Sequence, residues 1–379
     1  MNGTSWALTL VLVGCFVLTV WPFLIYPLIL GLLPKRPITC GTGEGGLSAS
    51  LLFCAYNETG SLRDKIANLR TLKARYPALE ILAFDDGSTD GSADLLSEAS
   101  DVLTLVRGPG RNGKAHGMKQ LAALATGDIL VFTDANVLLD EDAIDKLLPY
   151  YVDGSVGGVL GSLRYDGAES SASASVGALY WRIEERLKDL ESSTGNVMGA
   201  DGSIFSIRRA LYPDFPDHVL DDLTVSLAVV FAGKRLIKAK DVIAREMMVS
   251  QRVDEYRRKV RIAARSWNTH RYLRPQLARM SALDRFKYLS RKIVRWFGGA
   301  WIGIGALAAL GLAWLIAPFA AIALITASIG FLMIGLMARR GPVAAIMDML
   351  LAYMATLKGI GLAMKGQTFT VWNPAKSRD

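Results

Sequence analysis

Several short stretches place oxygen-bearing side chains at the ends of apolar runs, where they could handle phosphate and a divalent cation. Asp128-Ile-Leu-Val-Phe-Thr-Asp134-Ala-Asn136 reads as a buried strand stopping in an acid, a small residue and an amide. Hard oxygen ligands at that spacing suit Mg2+ or Mn2+. Asp134 supplies charge there, and Asn136 supplies only a neutral oxygen. A second apolar run, Glu80 to Phe84, ends in Asp85-Asp86-Gly-Ser-Thr-Asp90, and a first, Leu47 to Tyr56, ends in Asn57-Glu58. Gly113-Lys114 opens a helical pattern that runs to Thr126. An ammonium beside the free N–H groups of a helix start can meet phosphate oxygens. Asp221-Asp222 opens another helical pattern, Leu223–Phe231, where either acid can serve as N-cap.

The elements that must position these groups alternate. Helical periodicity in Ser61–Tyr76, with a Ser61-x-x-Asp64 cap, follows the first strand. Ser92–Ser100 is helical, and Val102–Arg107 is a third strand. This alternation predicts an α/β domain with a mostly parallel sheet covered on both faces. The C-terminal ends of parallel strands share one edge, so residues distant in sequence converge there. The Gly-flanked turn Gly199-Ala-Asp201-Gly-Ser203 precedes a further strand, Ile204–Ile207.

Ala55-Tyr-Asn-Glu58, Asp85-Asp-Gly-Ser-Thr-Asp90, Gly113-Lys-Ala-His-Gly117, Phe132-Thr-Asp-Ala-Asn136 and Asp221-Asp222 occur in the order seen in family 2 glycosyltransferases. Over about residues 47–270 the chain resembles that family's membrane-bound branch, which includes synthases of cellulose, chitin, hyaluronan and bacterial exopolysaccharides. The resemblance implies a Rossmann-like GT-A fold and an inverting transfer from a UDP-sugar, forming a β-linkage. By the same resemblance Tyr56, Asn57, Glu58 and Asp86 hold uracil and ribose, and Lys114 meets the diphosphate. Asp134 with Asn136 holds Mg2+ or Mn2+, Asp201 lies on the acceptor-side loop, and Asp222 is the general base. Polysaccharide synthases of the branch carry Gln-x-x-Arg-Trp; this chain has Arg258-Lys-Val-Arg261-Ile262, so Arg258 and Arg261 are assigned to the diphosphate, and the Trp is absent unless Trp267 replaces it from further along. The implied acceptor is a growing polysaccharide or a lipid-linked saccharide. A single-sugar transferase acting on a polyprenyl or other lipid carrier is the alternative, as is a catalytically weak membrane assembly module, supported by Asn136. With Asp134 carrying the charge at the cation, Asn136→Asp is expected to keep at least partial activity.

Composition places this chemistry at a membrane. Of 379 residues, 51% are hydrophobic, and the mean hydropathy is +0.28. The excess lies at the ends: Trp6–Leu33, then about 296–317, 319–338 and 343–364, each long enough to cross a bilayer. The last carries Asp348 and Lys358, which predicts a tilted, protein-facing or interfacial helix. Lys35 and Arg36 follow the first span, Arg291, Lys292 and Arg295 precede the second, and Arg339 and Arg340 follow the third. These charges predict a cytoplasmic catalytic region at the inner membrane. The division expected is 1–36 transmembrane anchor, 37–280 GT-A domain, 281–297 interfacial amphipathic helix, 298–364 with two or three transmembrane helices, and 365–379 tail. Fifteen Lys/Arg against four Asp/Glu between Arg245 and Arg295 favour anionic lipid or a diphosphate over nucleic acid. Membrane lipids and polysaccharide export partners are the further partner classes implied. The three cysteines have neither metal nor redox spacing.

Overall fold

The computed structural model of the protein describes residues 3–41, 46–166, 172–247, 252–338 and 341–372, and the side chains of 166, 172–180 and 247 are outside the description. Arg339, Arg340 and the tail from residue 373 lie outside the described residues.

The strands are β1 (Ala49–Ala55), β2 (Glu80–Asp85), β3 (Thr104–Arg107), β4 (Ile129–Thr133), β5 (Val137–Leu139), β6 (Val156–Asp166), β7 (Ile204–Arg208) and β8 (Arg235–Met247). They form one sheet in the order β3-β2-β1-β4-β7-β6-β8-β5. From β3 to β4 every pairing is parallel, as is β6 with β8. β7 runs antiparallel between β4 and β6, and β5 runs antiparallel to β8. The mostly parallel sheet expected from the alternation is therefore present. Its antiparallel β7 brings the Gly199–Ser203 turn to the end of β4 that carries Asp134.

All seven residues of β1 are buried, as a central parallel strand between two helical layers requires. Alternate residues feed two cores. Leu51 and Phe53 join Leu62, Ile66 and Leu69 on one face. Leu52 and Cys54 join Phe84, Met118 and Leu121 on the other. The three cysteines are free thiols.

The helices are α1 (Gly3–Val20), which continues through a π-helical turn, Trp21–Ile25, into α2 (Tyr26–Leu32); α3 (Thr59–Arg75); α4 (Ser92–Glu98); α5 (Lys114–Leu124); α6 (Ala143–Leu147); α7 (Ala172–Ser193); α8 (Asp221–Phe231); α9 (Arg252–Leu277); α10 (Ala282–Tyr288); α11 (Gly298–Ile316); α12 (Pro318–Met337); and α13 (Pro342–Met364). One expected boundary is corrected. α3 starts at Thr59, two residues before the predicted Ser61 cap. The Asp90 carboxylate accepts from the Thr59 N–H and hydroxyl at 3.1 and 2.8 Å, and Ser92 Oγ accepts from the Glu58 N–H at 2.9 Å. The loop after β2 thus satisfies helix-start donors that a local cap would otherwise take.

Four helical stretches are long and apolar enough to cross a membrane: Gly3–Leu32, Gly298–Ile316, Pro318–Met337 and Pro342–Met364. The charges of α13 turn toward α9: Asp348 pairs with Arg252 at 2.5 Å, and the Lys358 ammonium lies 5.8 Å from the Tyr256 ring centroid. Of the arrangements expected for this segment, the protein-facing one fits.

The predicted interfacial helix is an α-helix, α10, followed by a π-helical turn, Leu289–Val294. Its basic face is corrected. Lys287 and Arg291 are buried and face protein rather than lipid. Arg291 pairs with Glu184 and Glu191 of α7, Arg295 pairs with Glu184 at 2.7 Å, and Tyr26 of α2 donates to Glu191 at 2.6 Å. Lys287 donates to the Glu191 and Asn196 carbonyls. A buried cation needs such partners, and α7 supplies two acids one helical face apart.

Candidate active site

The loops after β1 and β2 form one side of the site. Asn57 adopts a left-handed conformation (φ 52°) and its side-chain oxygen accepts from the Thr89 N–H at 2.8 Å. Its own N–H donates to Ser88 Oγ at 3.0 Å, so the two loops are tied together. Glu58 Oε2 accepts from Ser61 Oγ at 3.1 Å. Tyr56 lies under the Arg111 guanidinium, 3.7 Å from the ring centroid, and edge-on to Trp372 at 6.1 Å. Arg111 in turn donates to the Trp372 carbonyl.

Asp86 is fully buried and accepts from the N–H groups of Asn112 and Gly113 at 2.8 and 3.0 Å. These bonds shape the Gly113-Lys114 loop. Gly113 has φ 96°, and a Cβ there would collide with the Thr370 carbonyl. The loop therefore needs glycine, both for its conformation and for the close passage of the C-terminal segment. That segment is held further back by Asn268, whose amide donates to the Gln367 carbonyl at 3.3 Å.

Lys114 is the centre of the charged group. Its ammonium contacts Asp134 at 2.5 Å and Asp221 at 3.7 Å. Burial opposes its charge, but the carboxylates of Asp134, Asp221 and Asp222 outweigh burial and keep it protonated. Asp221 is also 3.8 Å from Arg265, whose guanidinium donates to the Val219 carbonyl. Asp222 begins the first turn of α8 beside Asp221, and its Oδ1 accepts from the Leu223 N–H at 2.6 Å. Burial, then the neighbouring Asp221 carboxylate, push the Asp222 carboxyl up to about 6. That value suits a group that takes up a proton near neutral pH.

The cation site fits a hard divalent ion in part. Asp134 offers a half-exposed carboxylate, and Gly202 leaves the space beside it open: a Cβ there would stand 2.9 Å from Asp134 Oδ2 and 3.0 Å from Lys114 Nζ. Asn136 lies two residues on, and its side-chain N–H donates to Glu246 Oε1 of β8 at 3.0 Å. One carboxylate and one amide oxygen are ligands for Mg2+ or Mn2+ rather than for a soft metal. Among the described residues no three His, Cys, Asp or Glu side chains form a cage of their own.

The remaining expected residues divide. Arg258 lies on α9, 3.6 Å from Glu255; burial opposes its charge, but Glu255, Glu246 and Tyr165 outweigh this and raise its pKa. Arg261 is one turn further along α9. Asp201 is committed within the protein: it pairs with Lys188 and accepts from Ser203. Burial alone would raise its pKa, but Lys188 and Ser203 bring it down to about 2. These bonds shape the Gly199–Ser203 turn. Trp267 packs against His270, Trp296 and Phe297.

Three residues were missed. Arg265 continues the α9 spacing of Arg258 and Arg261, and that i, i+3, i+7 pattern was a readable signal. Arg111 gave only an ordinary charge beside a glycine. Lys65 is fully buried beneath the β4–β5 turn, donating to the Val137 carbonyl at 2.5 Å and to Thr133 Oγ1 at 3.4 Å. Burial brings its pKa down to about 7. The helical period of α3 already placed it on the inward face.

The mostly parallel sheet with Lys114, Asp134 and the Asp221-Asp222 pair gathered at one edge is the GT-A arrangement. The family model of glycosyl transferase family 2 matches residues 50–215. The poly-beta-1,6-N-acetyl-D-glucosamine synthase of Staphylococcus aureus is 26% identical over 200 residues, 49% of this chain and 47% of that protein. The enzyme of the same name from Staphylococcus epidermidis is 24% identical over 189 residues. The chain spans about half the length of these relatives. Among solved structures, the mannosyltransferase PcManGT from Pyrobaculum calidifontis, in complex with GDP-Man and Mn2+, superposes with a TM-score of 0.73 at 19% identity. That likeness covers 95% of this chain and 99% of that one, and it extends the shared fold through the apolar helices.

Proposed function

We propose that the protein is a membrane-bound, inverting glycosyltransferase that moves a sugar from a UDP-sugar to a saccharide or lipid-linked acceptor in cell-surface polysaccharide synthesis. The observation that carries this reading is the meeting of Lys114, Asp134, Asp221 and Asp222 where the sheet edge faces α8. Tyr56, Asn57, Glu58 and Arg111 line the side suited to the nucleoside. Lys114, Arg258 and Arg261 supply positive charge for the diphosphate. A divalent cation held by Asp134 and Asn136 would neutralise charge on the leaving diphosphate. Asp222 takes the proton of the acceptor hydroxyl as its oxygen bonds to the anomeric carbon. The carbon–phosphate oxygen bond breaks on the opposite side, UDP departs with that electron pair, and the anomeric configuration inverts.

The S. aureus relatives are named for a β-linked polymer, which supports polysaccharide synthesis. PcManGT was solved with a guanosine donor, so the base needs its own test. A screen of UDP- and GDP-sugars for released nucleoside diphosphate, with membranes and Mn2+, is expected to show release from a UDP-sugar. Release from GDP-sugars alone would overturn the uridine assignment. No release from any UDP-sugar with Mg2+ or Mn2+, together with no change in cells carrying Asp222→Asn, would favour the assembly-module reading. Lys35, Arg36 and the basic stretch before α11 support a cytoplasmic catalytic face on the inner membrane, testable by protease protection in oriented vesicles.

Lys292 favours the lipid-carrier form of this reading. Its ammonium stands 3.6 Å from where a Cβ on Gly199 would be, on the acceptor side, six residues before α11. The nearby Glu184 and Glu191 are engaged by Arg291, Arg295 and Tyr26, and among the described residues Lys292 has no partner. A phosphate-bearing acceptor would neutralise it. Product sizing separates the forms: one added sugar on a polyprenyl phosphate, against a ladder on a glycan primer.

A further inference from the structure

The amide at position 136 has a partner that an acid would lose. Asn136 Nδ2 donates to Glu246 Oε1 at 3.0 Å, across 110 residues of sequence. The antiparallel pairing of β5 with β8 sets Glu246 opposite Val137, the residue after Asn136, so the contact follows from sheet register. Glu246 is nearly inaccessible to solvent, at 8% exposure. With its NH2 facing Glu246, the amide has its carbonyl oxygen turned away from Glu246.

Glu246 reaches further than Asn136. Its charge also acts on Arg258 of α9 and on Tyr165 of β6. One buried acid thus touches the cation turn and biases an arginine assigned to the diphosphate.

We propose that Glu246 is a positioning residue for the cation corner, locking Asn136 as a neutral oxygen ligand, so that an acid–amide pair shared between the β4–β5 turn and β8 replaces two acids on one turn. This rests on the donor reading given above. The expectation that Asn136→Asp keeps activity is reversed by this arrangement. An acid at 136 would face the Glu246 carboxylate at hydrogen-bond distance. An acid there has no N–H to offer Glu246, so the hydrogen bond that holds position 136 is lost.

The test is a charge exchange in the full-length protein in detergent: Asn136→Asp, Glu246→Gln, and the two combined. UDP binding is titrated calorimetrically with and without Mn2+, and unfolding temperatures are compared without metal. Asn136→Asp is expected to weaken Mn2+-dependent UDP binding about 10-fold or more, the scale seen when a ligand's orienting partner is disturbed. The double variant restores an acid–amide pair with its ends exchanged and should return to wild-type affinity or tighter. Glu246→Gln, which preserves shape and needs no folding tolerance of a new charge, should weaken binding about 3-fold through partial amide rotation, a modest coupling for groups in contact. A double variant no better than Asn136→Asp would overturn the proposal, as would wild-type affinity in Asn136→Asp. If the wild type itself shows no Mn2+-dependent UDP binding, the donor reading falls and this role falls with it; wild-type binding without rescue sinks the pairing alone.

Discussion

The donor side and the membrane side of this protein are held together by different means. On the donor side, loops following β1, β2 and β3 are stitched by bonds to backbone N–H groups, as when Asp86 accepts from Asn112 and Gly113. On the membrane side, α2, α7 and the turn after α10 are joined by buried ions, with Arg291 bridging Glu184 and Glu191. The first arrangement keeps small groups in register for a ligand. The second fixes whole helices against one another. Chemistry should therefore fail on the donor side with the fold intact, and the fold should fail on the membrane side before the chemistry is touched.

The largest effect should come from Asp222→Asn, with a loss of transfer of about 10³-fold, in the range of a general base. Its unfolding temperature should stay close to that of the wild type, as read by a heated fluorescence scan. An equal loss of stability would erase the contrast between the two sides. Arg291→Met should do the reverse, lowering stability by about 3–5 kcal/mol, because two buried carboxylates lose their cation. Denaturant unfolding in detergent measures this, and an unchanged midpoint would show that the ion pairs do not hold the helices.

The pH profile sharpens the donor side. The Asp222 carboxyl is raised to about 6, so below that pH it carries the proton it must accept. Transfer should fall about tenfold per unit below pH 6 and level off above it, as expected for one required deprotonation. Asp221→Asn removes the neighbouring charge that helps raise this group, so the inflection should move to lower pH. An inflection that stays fixed in Asp221→Asn would assign the titration to another group. The smallest effect is expected from Trp372→Ala, which removes the edge contact on Tyr56 and keeps the main-chain carbonyl that Arg111 meets. Donor KM should rise about 3-fold with kcat little changed, the pattern of lost ground-state binding.

The same contrast explains what could be read in the sequence. β1, β2 and β4 were legible because each is a short apolar run ending in polar residues. Lys114, Asp134 and the Asp221-Asp222 pair were legible as local patterns on those elements. The pairing of Arg291 with Glu184 and Glu191 was not, since its members lie 107 and 100 residues apart and nothing local marks them as partners. A basic, aromatic stretch before an apolar helix suits lipid equally well, and only the packing of α7 decides. The partner of Asn136 was hidden for the same reason, because β8 meets β5 through sheet register rather than through proximity in the chain. The α3 start was misplaced where a neighbouring loop, through Asp90 and Ser92, outcompeted the local Ser61 signal.

The contact from Tyr26 to Glu191 has a consequence for geometry at the bilayer. It ties the N-terminal helix to the helix that leads into the Asp201 turn, and Arg291 ties the same acid to the approach to α11. On the proposed membrane reading, the reaction centre would be mounted at one fixed height, as on a bracket gripped from two sides. An acceptor of the proposed lipid-linked kind would then have to present its hydroxyl at that depth, and the length between its anchor and the reacting sugar would act as a ruler.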